Sequence, residues 1–111
     1  MTPAEFVVVL VTAGSSAEAV RLGRTLVEER LAACANVVPG IRSIYRWEGK
    51  VEEADEHLLL LKARAADVTA LAERVRELHS YDVPEVLALP IADGSPAYLA
   101  WLADATARRP G

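Results

Sequence analysis

The sequence predicts an α+β sandwich in the order β-α-β-β-α-β-α, with two helices on one face of a four-stranded antiparallel sheet and a further helix at the C-terminal end. Three observations carry that expectation. Short runs rich in Val, Ile, Leu and aromatics recur at 6–11, 34–47, 51–61 and 86–91 and read as strands. Stretches with apolar residues at helical spacing, 15–32 and 65–80, separate the first strand from the second and the third from the fourth. Glu48-Gly49 folds the second strand back onto the third, because glycine takes the positive φ of a tight hairpin turn.

Taken in order, Phe6 to Val11 is continuous and β-branched, the pattern of a central strand buried on both faces. Ser15-Ser16-Ala17-Glu18 matches a capping box, in which a serine hydroxyl and a glutamate carboxylate satisfy amides at a helix start. The helix it opens is expected to reach about Ala32. Ala19, Val20, Leu22, Gly23, Leu26, Val27 and Leu31 fill its apolar half, Glu18, Arg21, Arg24, Glu28 and Glu29 its solvated half, and Arg30 alone falls on the wrong side. In the first hairpin arm Pro39-Gly40 interrupts the ladder and predicts a bulge. The second arm changes from a wet half, Glu52 to His57, to a leucine run, Leu58 to Leu61, apolar on both faces. A second helix, Ala65 to Ser80, has Asp67 in its first turn and turns Val68, Leu71, Ala72, Val75 and Leu78 to the sheet. Val86 to Ile91 is a short strand whose Pro90 marks an edge or an end. Ser95 and Pro96 start the last helix as N-cap and first helical residue, with Tyr98, Trp101, Leu102 and Ala105 as its apolar stripe and a basic end from Arg108 to Gly111. Two βαβ units interleaved in the split manner make the expected fold ferredoxin-like.

Length and composition bound the rest. With 111 residues and 52% hydrophobic content, the chain is expected to form one domain, 1–111, around one core. A formal charge of −4 offers no field for a nucleic-acid backbone or an anionic membrane surface. Cys34 is the sole cysteine, so no internal disulfide can form. The apolar run from Phe6 to Ala13 is too short for a membrane span and lacks the basic flank of a signal peptide; the expected compartment is the cytoplasm.

The hairpin is long for the domain beneath it. Arms of about a dozen residues at about 3.3 Å each reach about 40 Å, against a diameter of about 34 Å for a globule of this chain length. It should protrude, and its uncovered Leu, Ile and Trp side chains predict assembly with further copies.

Chemistry-bearing residues are sparse. No nucleophile stands at catalytic spacing to a base, no glycine-rich phosphate loop exists, and no catalytic residue is nominated. Cys34, His57 and His79 are the available soft and borderline metal donors, with Glu52, Glu53, Asp55, Glu56 and Glu85 as harder ones, but no ligand-pair spacing joins them. A lone Cys34 at a strand start is more often a small buried hydrophobe than a ligand, and the acidic run more often a solvated strand end than a cation cage, while His79 caps a helix as easily as it binds a ligand. Sites shared between chains escape a spacing test.

Four segments then carry a resemblance: Ala33-Cys34-Ala35-Asn36-Val37; Ser43-Ile44-Tyr45-Arg46-Trp47-Glu48-Gly49-Lys50; Leu59-Leu60-Leu61-Lys62; and Leu78-His79-Ser80-Tyr81-Asp82-Val83-Pro84-Glu85. In order and spacing, over nearly the whole chain, they resemble the CutA family of divalent-cation tolerance proteins. The resemblance implies a homotrimer of ferredoxin-like protomers, similar in architecture to the PII signalling proteins, with the hairpins packed between subunits. It also implies tolerance to copper and other divalent ions, with copper binding attributed to cysteine chemistry. Cys34 is the position that carries over, and His79, Tyr81 and Glu85 match the family's H-x-Y-x-V-P-E segment near an intersubunit cleft. Two features depart from the family: Ala63 follows Lys62 where threonine is usual, and only one cysteine is present where some members have more. One thiolate needs oxygen or nitrogen partners, or thiolates from other chains, to hold copper well.

Two functions follow as expectations. One is a trimeric, metal-responsive, non-enzymatic protein binding copper or another divalent cation through Cys34, His79 and Glu85. The other is a PII-like sensor or scaffold whose intersubunit cleft holds a small molecule or partner segment, with Tyr45, Trp47, Lys50 and Tyr81 at the ligand or subunit interface.

Overall fold

The computed structural model of the chain describes residues 4–108. Strand β1 (Phe6–Ala13) is followed by α1 (Ser16–Glu28), the hairpin β2 (Cys34–Trp47) and β3 (Lys50–Arg64), a 3₁₀ turn (Ala65–Asp67) leading into α2 (Val68–Leu78), then β4 (Leu87–Pro90) and α3 (Pro96–Ala105). The sheet order is β2-β3-β1-β4, every neighbouring pair antiparallel, which is the split βαβ arrangement expected.

Alternation along β1 separates the two faces. Val7, Val9, Val11 and Ala13 pack with Leu59, Leu61 and Ala63 of β3 under Ala19, Leu22 and Leu26 of α1 and Leu71 and Val75 of α2, forming the main core. Gly23 lets α1 approach β2, since a Cβ there would lie 2.9 Å from Ala35 Cβ. The other face is only partly covered. α3 seals one end, where Leu102 meets Phe6 and Ala33. Val8, Leu10, Leu58 and Leu60 stay half-buried, and Leu87 and Leu89 of the edge strand are exposed. β1 is therefore buried on one face, with the second open.

The hairpin turns at Glu48 (φ 49°) and Gly49 (φ 80°), both in the left-handed region as a type I′ connection requires. The bulge falls at Pro39-Gly40, where the register shifts between Val38 and Ile41 and Gly40 takes φ 73°. Ile44, Tyr45, Trp47 and Val51 of its outer half are all exposed.

Several local expectations are corrected. α1 stops at Glu28, four residues before Ala32, because Arg30 takes φ 60° and the chain closes a Schellman-type end: Arg30 N–H donates to Val27 O and Leu31 N–H to Leu26 O, each at 3.0 Å. Arg30 thus leaves the helical wheel before its position there matters. The capping box is half present. Ser15 Oγ accepts from Glu18 N–H at 3.1 Å, but the Glu18 carboxylate turns to Ser80. The first turn of the second helix is 3₁₀, and buried Asp67 pairs with Arg108 through two hydrogen bonds of 2.8 and 2.9 Å. In α3 only Leu102 is fully buried, while Tyr98 and Trp101 face outward, so the expected stripe is divided. The basic end beyond Arg108 lies outside the described residues.

Candidate functional site

A concavity of about 710 Å³ lies between the outer half of the hairpin and the segment 81–85 that leads from α2 towards β4. The hairpin contributes Tyr45, Trp47 and Glu56; the segment contributes Tyr81, Asp82 and Glu85. Its size is that of an ordinary small-molecule site.

Tyr81 is held from behind. His79, at the C-cap of α2, is buried; its Nε2 donates to Thr12 O at 2.7 Å and its Nδ1 accepts from Tyr81 N–H at 3.0 Å, which fixes the neutral Nε2–H tautomer. The two rings stack at a tilt, centroids 4.5 Å apart. Tyr81 Oη then donates to Glu56 Oε2 at 2.7 Å. Burial, followed by that hydrogen bond and the Glu56 charge, pushes the Tyr81 phenol well above its ordinary range. Gly14 makes room, since a Cβ there would stand 3.2 Å from the hydroxyl.

Glu18 anchors the same segment. Its carboxylate accepts from Ser80 N–H at 2.8 Å and Ser80 Oγ at 3.0 Å, and lies 3.6 Å from His79 Nδ1. Burial opposes its ionisation, but the Ser80 hydrogen bonds, with the Gly14 amide adding to them, outweigh it and hold the carboxyl below its usual 4.5.

Cys34 occupies a different place, a groove of about 410 Å³ at the β2 edge beside α1 and Trp101. Its thiol is free and half-buried, with Sγ 3.7 Å from Asn36 Oδ1 and 3.8 Å from Tyr98 Oη, and Lys62 bonds the same Asn36 oxygen. Burial and then the Cys34 contact push the Tyr98 phenol up. Lys50 is exposed, opposite Trp47 in the ladder and outside the cleft lining.

Of the residues singled out in the sequence, Tyr45, Trp47, Tyr81 and Glu85 converge, with His79 supporting them from beneath. Cys34 lies apart. Among the described residues, no three His, Cys, Asp or Glu side chains gather as a metal site within one chain. Sequence reasoning placed Glu18 and Glu56 on wet faces, counting Glu56 only among the available hard donors, and missed Tyr98 beside the thiol. The Tyr81–Glu56 contact spans 25 residues and leaves no local signal.

Comparison with known proteins agrees with this architecture. Residues 7–105 match the family model described as CutA1 divalent ion tolerance protein. The "Divalent-cation tolerance protein CutA" of Thermus thermophilus is 54% identical over 99 residues, covering 89% of this chain and 96% of that one. "Protein CutA, chloroplastic" of Arabidopsis thaliana is 49% identical over 100 residues, covering 90% of this chain and 55% of its own length. Among solved structures, CutA1 from Oryza sativa superposes with a TM-score of 0.91 at 46% identity, covering 98% of this chain and 100% of that chain. With a family model spanning most of its length and relatives at this identity, the chain belongs to the CutA1 divalent ion tolerance protein family.

Proposed function

We propose that the protein serves divalent-cation tolerance as a cytoplasmic, non-enzymatic, metal-responsive homotrimer, one domain of residues 1–111 per protomer, that binds copper or another divalent ion. Cys34 is the primary donor, with His79 and Glu85 as further donors. The observation that carries this reading is the free Cys34 sulfur at an open groove, the one thiol in the chain. A lone thiolate holds copper weakly, and three brought together by a threefold assembly, or joined by oxygen and nitrogen donors of another copy, would hold it far better. The exposed apolar hairpin, Ile44, Tyr45, Trp47 and Val51, supports such an assembly. His79 could ligate only by giving up its bond to Thr12 or to Tyr81, so its share requires local rearrangement. Copper titration under reducing conditions tests the claim: Cys34→Ala is expected to weaken binding at least tenfold, and equal binding in both proteins ends the role of Cys34. Light scattering tests the assembly, with an expected mass three times the 12.0 kDa protomer.

A second reading is favoured by the cleft itself: Tyr45, Trp47, Tyr81 and Glu85 around about 710 Å³ suit a small-molecule ligand, making the protein a sensor or scaffold. A thermal-shift screen separates the two. A ligand at a hundred times its dissociation constant adds about 2.7 kcal/mol of stability, and shifts confined to metal ions would favour the first reading.

A further inference from the structure

We propose that the Tyr81–Glu56 hydrogen bond is a brace across a hinge in the hairpin, fixing the angle at which the outer arm meets neighbouring copies of the chain. The consequence for neighbouring copies rests on the assembly reading above, whereas the brace stands on contacts within one chain.

The hinge lies where the sheet lets go of the hairpin. β1 pairs with β3 from Phe6 opposite Arg64 to Ala13 opposite His57, and there it ends. From Glu56 to the turn, β3 has only β2 beside it. β2 is interrupted at the same level: Val38 pairs with Leu58 and Ile41 with Glu56, while Pro39 and Gly40 have no ladder partner and Gly40 takes φ 73°. A bulge bends a strand and removes ladder bonds, so the third strand and the regular ladder are lost together. Beyond that level the pairing is unbroken from Ile41 opposite Glu56 to Trp47 opposite Lys50, and the arm turns as a unit.

The brace meets the arm at this level. Glu56 is the first residue past the end of β1, its side chain is buried, and Tyr81 Oη donates to it at 2.7 Å. Tyr81 belongs to the body. Its N–H is held by His79, whose ring donates to Thr12 O beside the end of β1, and the adjacent Ser80 is held twice by Glu18 of α1. Among the described residues no other side-chain hydrogen bond joins the body to residues 41–56, since Arg42, Glu53 and Asp55 bond only within the arm. The arm reaches about 20 Å from Glu56 to the turn, so a swing of about 10° moves its tip by about 3–4 Å. That is enough to lose the close packing of an interface core.

The test reads the arm angle by electron–electron double resonance. Spin labels are placed at Lys50→Cys on the arm and Glu73→Cys on α2 in full-length Cys34→Ser protein, with labelled chains diluted among unlabelled copies so that one distance within a protomer is read. A single narrow distribution is expected. Tyr81→Phe should broaden or shift it at least twofold in width, Glu56→Ala should do the same and serves if Tyr81→Phe does not fold, and the two together should add nothing further. Glu56→Gln keeps an acceptor oxygen and should retain the narrow distribution. Asp67→Asn weakens a buried ion pair away from the hinge and should also leave it narrow, although it lowers stability. An unchanged distribution in Tyr81→Phe and Glu56→Ala, or equal broadening in Asp67→Asn, overturns the brace. Subunit exchange, followed by native mass spectrometry of isotopically mixed protein, is expected to quicken at least tenfold in Tyr81→Phe. Broadening with unchanged exchange overturns the consequence for assembly and leaves the brace standing. A monomeric mass for the parent protein overturns the assembly reading, and the distance distribution then decides the brace alone.

Discussion

Glu18 shows how one side chain can belong to a helix by sequence and to a distant loop by function. The wheel of α1 places it with the solvated residues, yet it is nearly buried because Ser80 offers it two donors. Its folded carboxyl titrates below its unfolded value, so the stability it contributes is present above about pH 4.5 and is lost as the pH falls through the lowered folded value. Glu18→Gln should therefore flatten the acid limb of a stability–pH curve measured by urea unfolding, and an unchanged limb would contradict the assignment. Gly14→Ala tests the neighbouring contact. A methyl 3.2 Å from Tyr81 Oη requires the phenol to give by a few tenths of an ångström, which strains its bond to Glu56, and ultraviolet titration should show the highest tyrosine step moving to lower pH. At this scale Cys34, His79 and Tyr81 were legible because short motifs carry them. Glu56 was not, since its burial is decided by a tyrosine on another element.

Elements were legible wherever their ends are written in local chemistry. Glu48-Gly49 and Pro39-Gly40 announced the turn and the bulge, and Ser95-Pro96 the start of α3. The end of α1 was hidden because its left-handed residue is Arg30 and not glycine. Such a residue costs roughly 1–2 kcal/mol in that conformation, while the Arg30 guanidinium gains only long contacts, 3.4 Å, to Ala105 O and Ala107 O. Arg30→Gly is expected to leave stability unchanged or raise it by up to about 1 kcal/mol, read by chemical denaturation. Glu48→Asn places the preferred residue in a type I′ turn and should stabilise the hairpin by a few tenths of a kcal/mol or more. The stripe of α3 was misread because helical period marks apolar residues but not which neighbour faces them; the sheet end takes Leu102, and Tyr98 turns to Cys34.

The whole molecule is elongated, 44 × 34 × 23 Å, with a radius of gyration of 14.7 Å against about 13 Å for an average globule of this length. The hairpin arithmetic of the sequence anticipates that excess. The open sheet face adds Leu87 and Leu89, each forgoing part of the about 1.5–3 kcal/mol that full burial gives. Leu87→Lys with Leu89→Lys is expected to lower the mass seen by light scattering at micromolar concentration without unfolding the protomer; an unchanged mass would place the contact elsewhere. The central position of β1 has a further consequence during synthesis. It leaves the ribosome first, yet both strands that hydrogen-bond to it, β3 and β4, come from residues 50–64 and 87–90. At about 5–20 residues per second its valine-rich segment waits several seconds for a partner, so nascent chains arrested before Lys50 should be held by chaperones and those arrested with β3 outside the exit tunnel released.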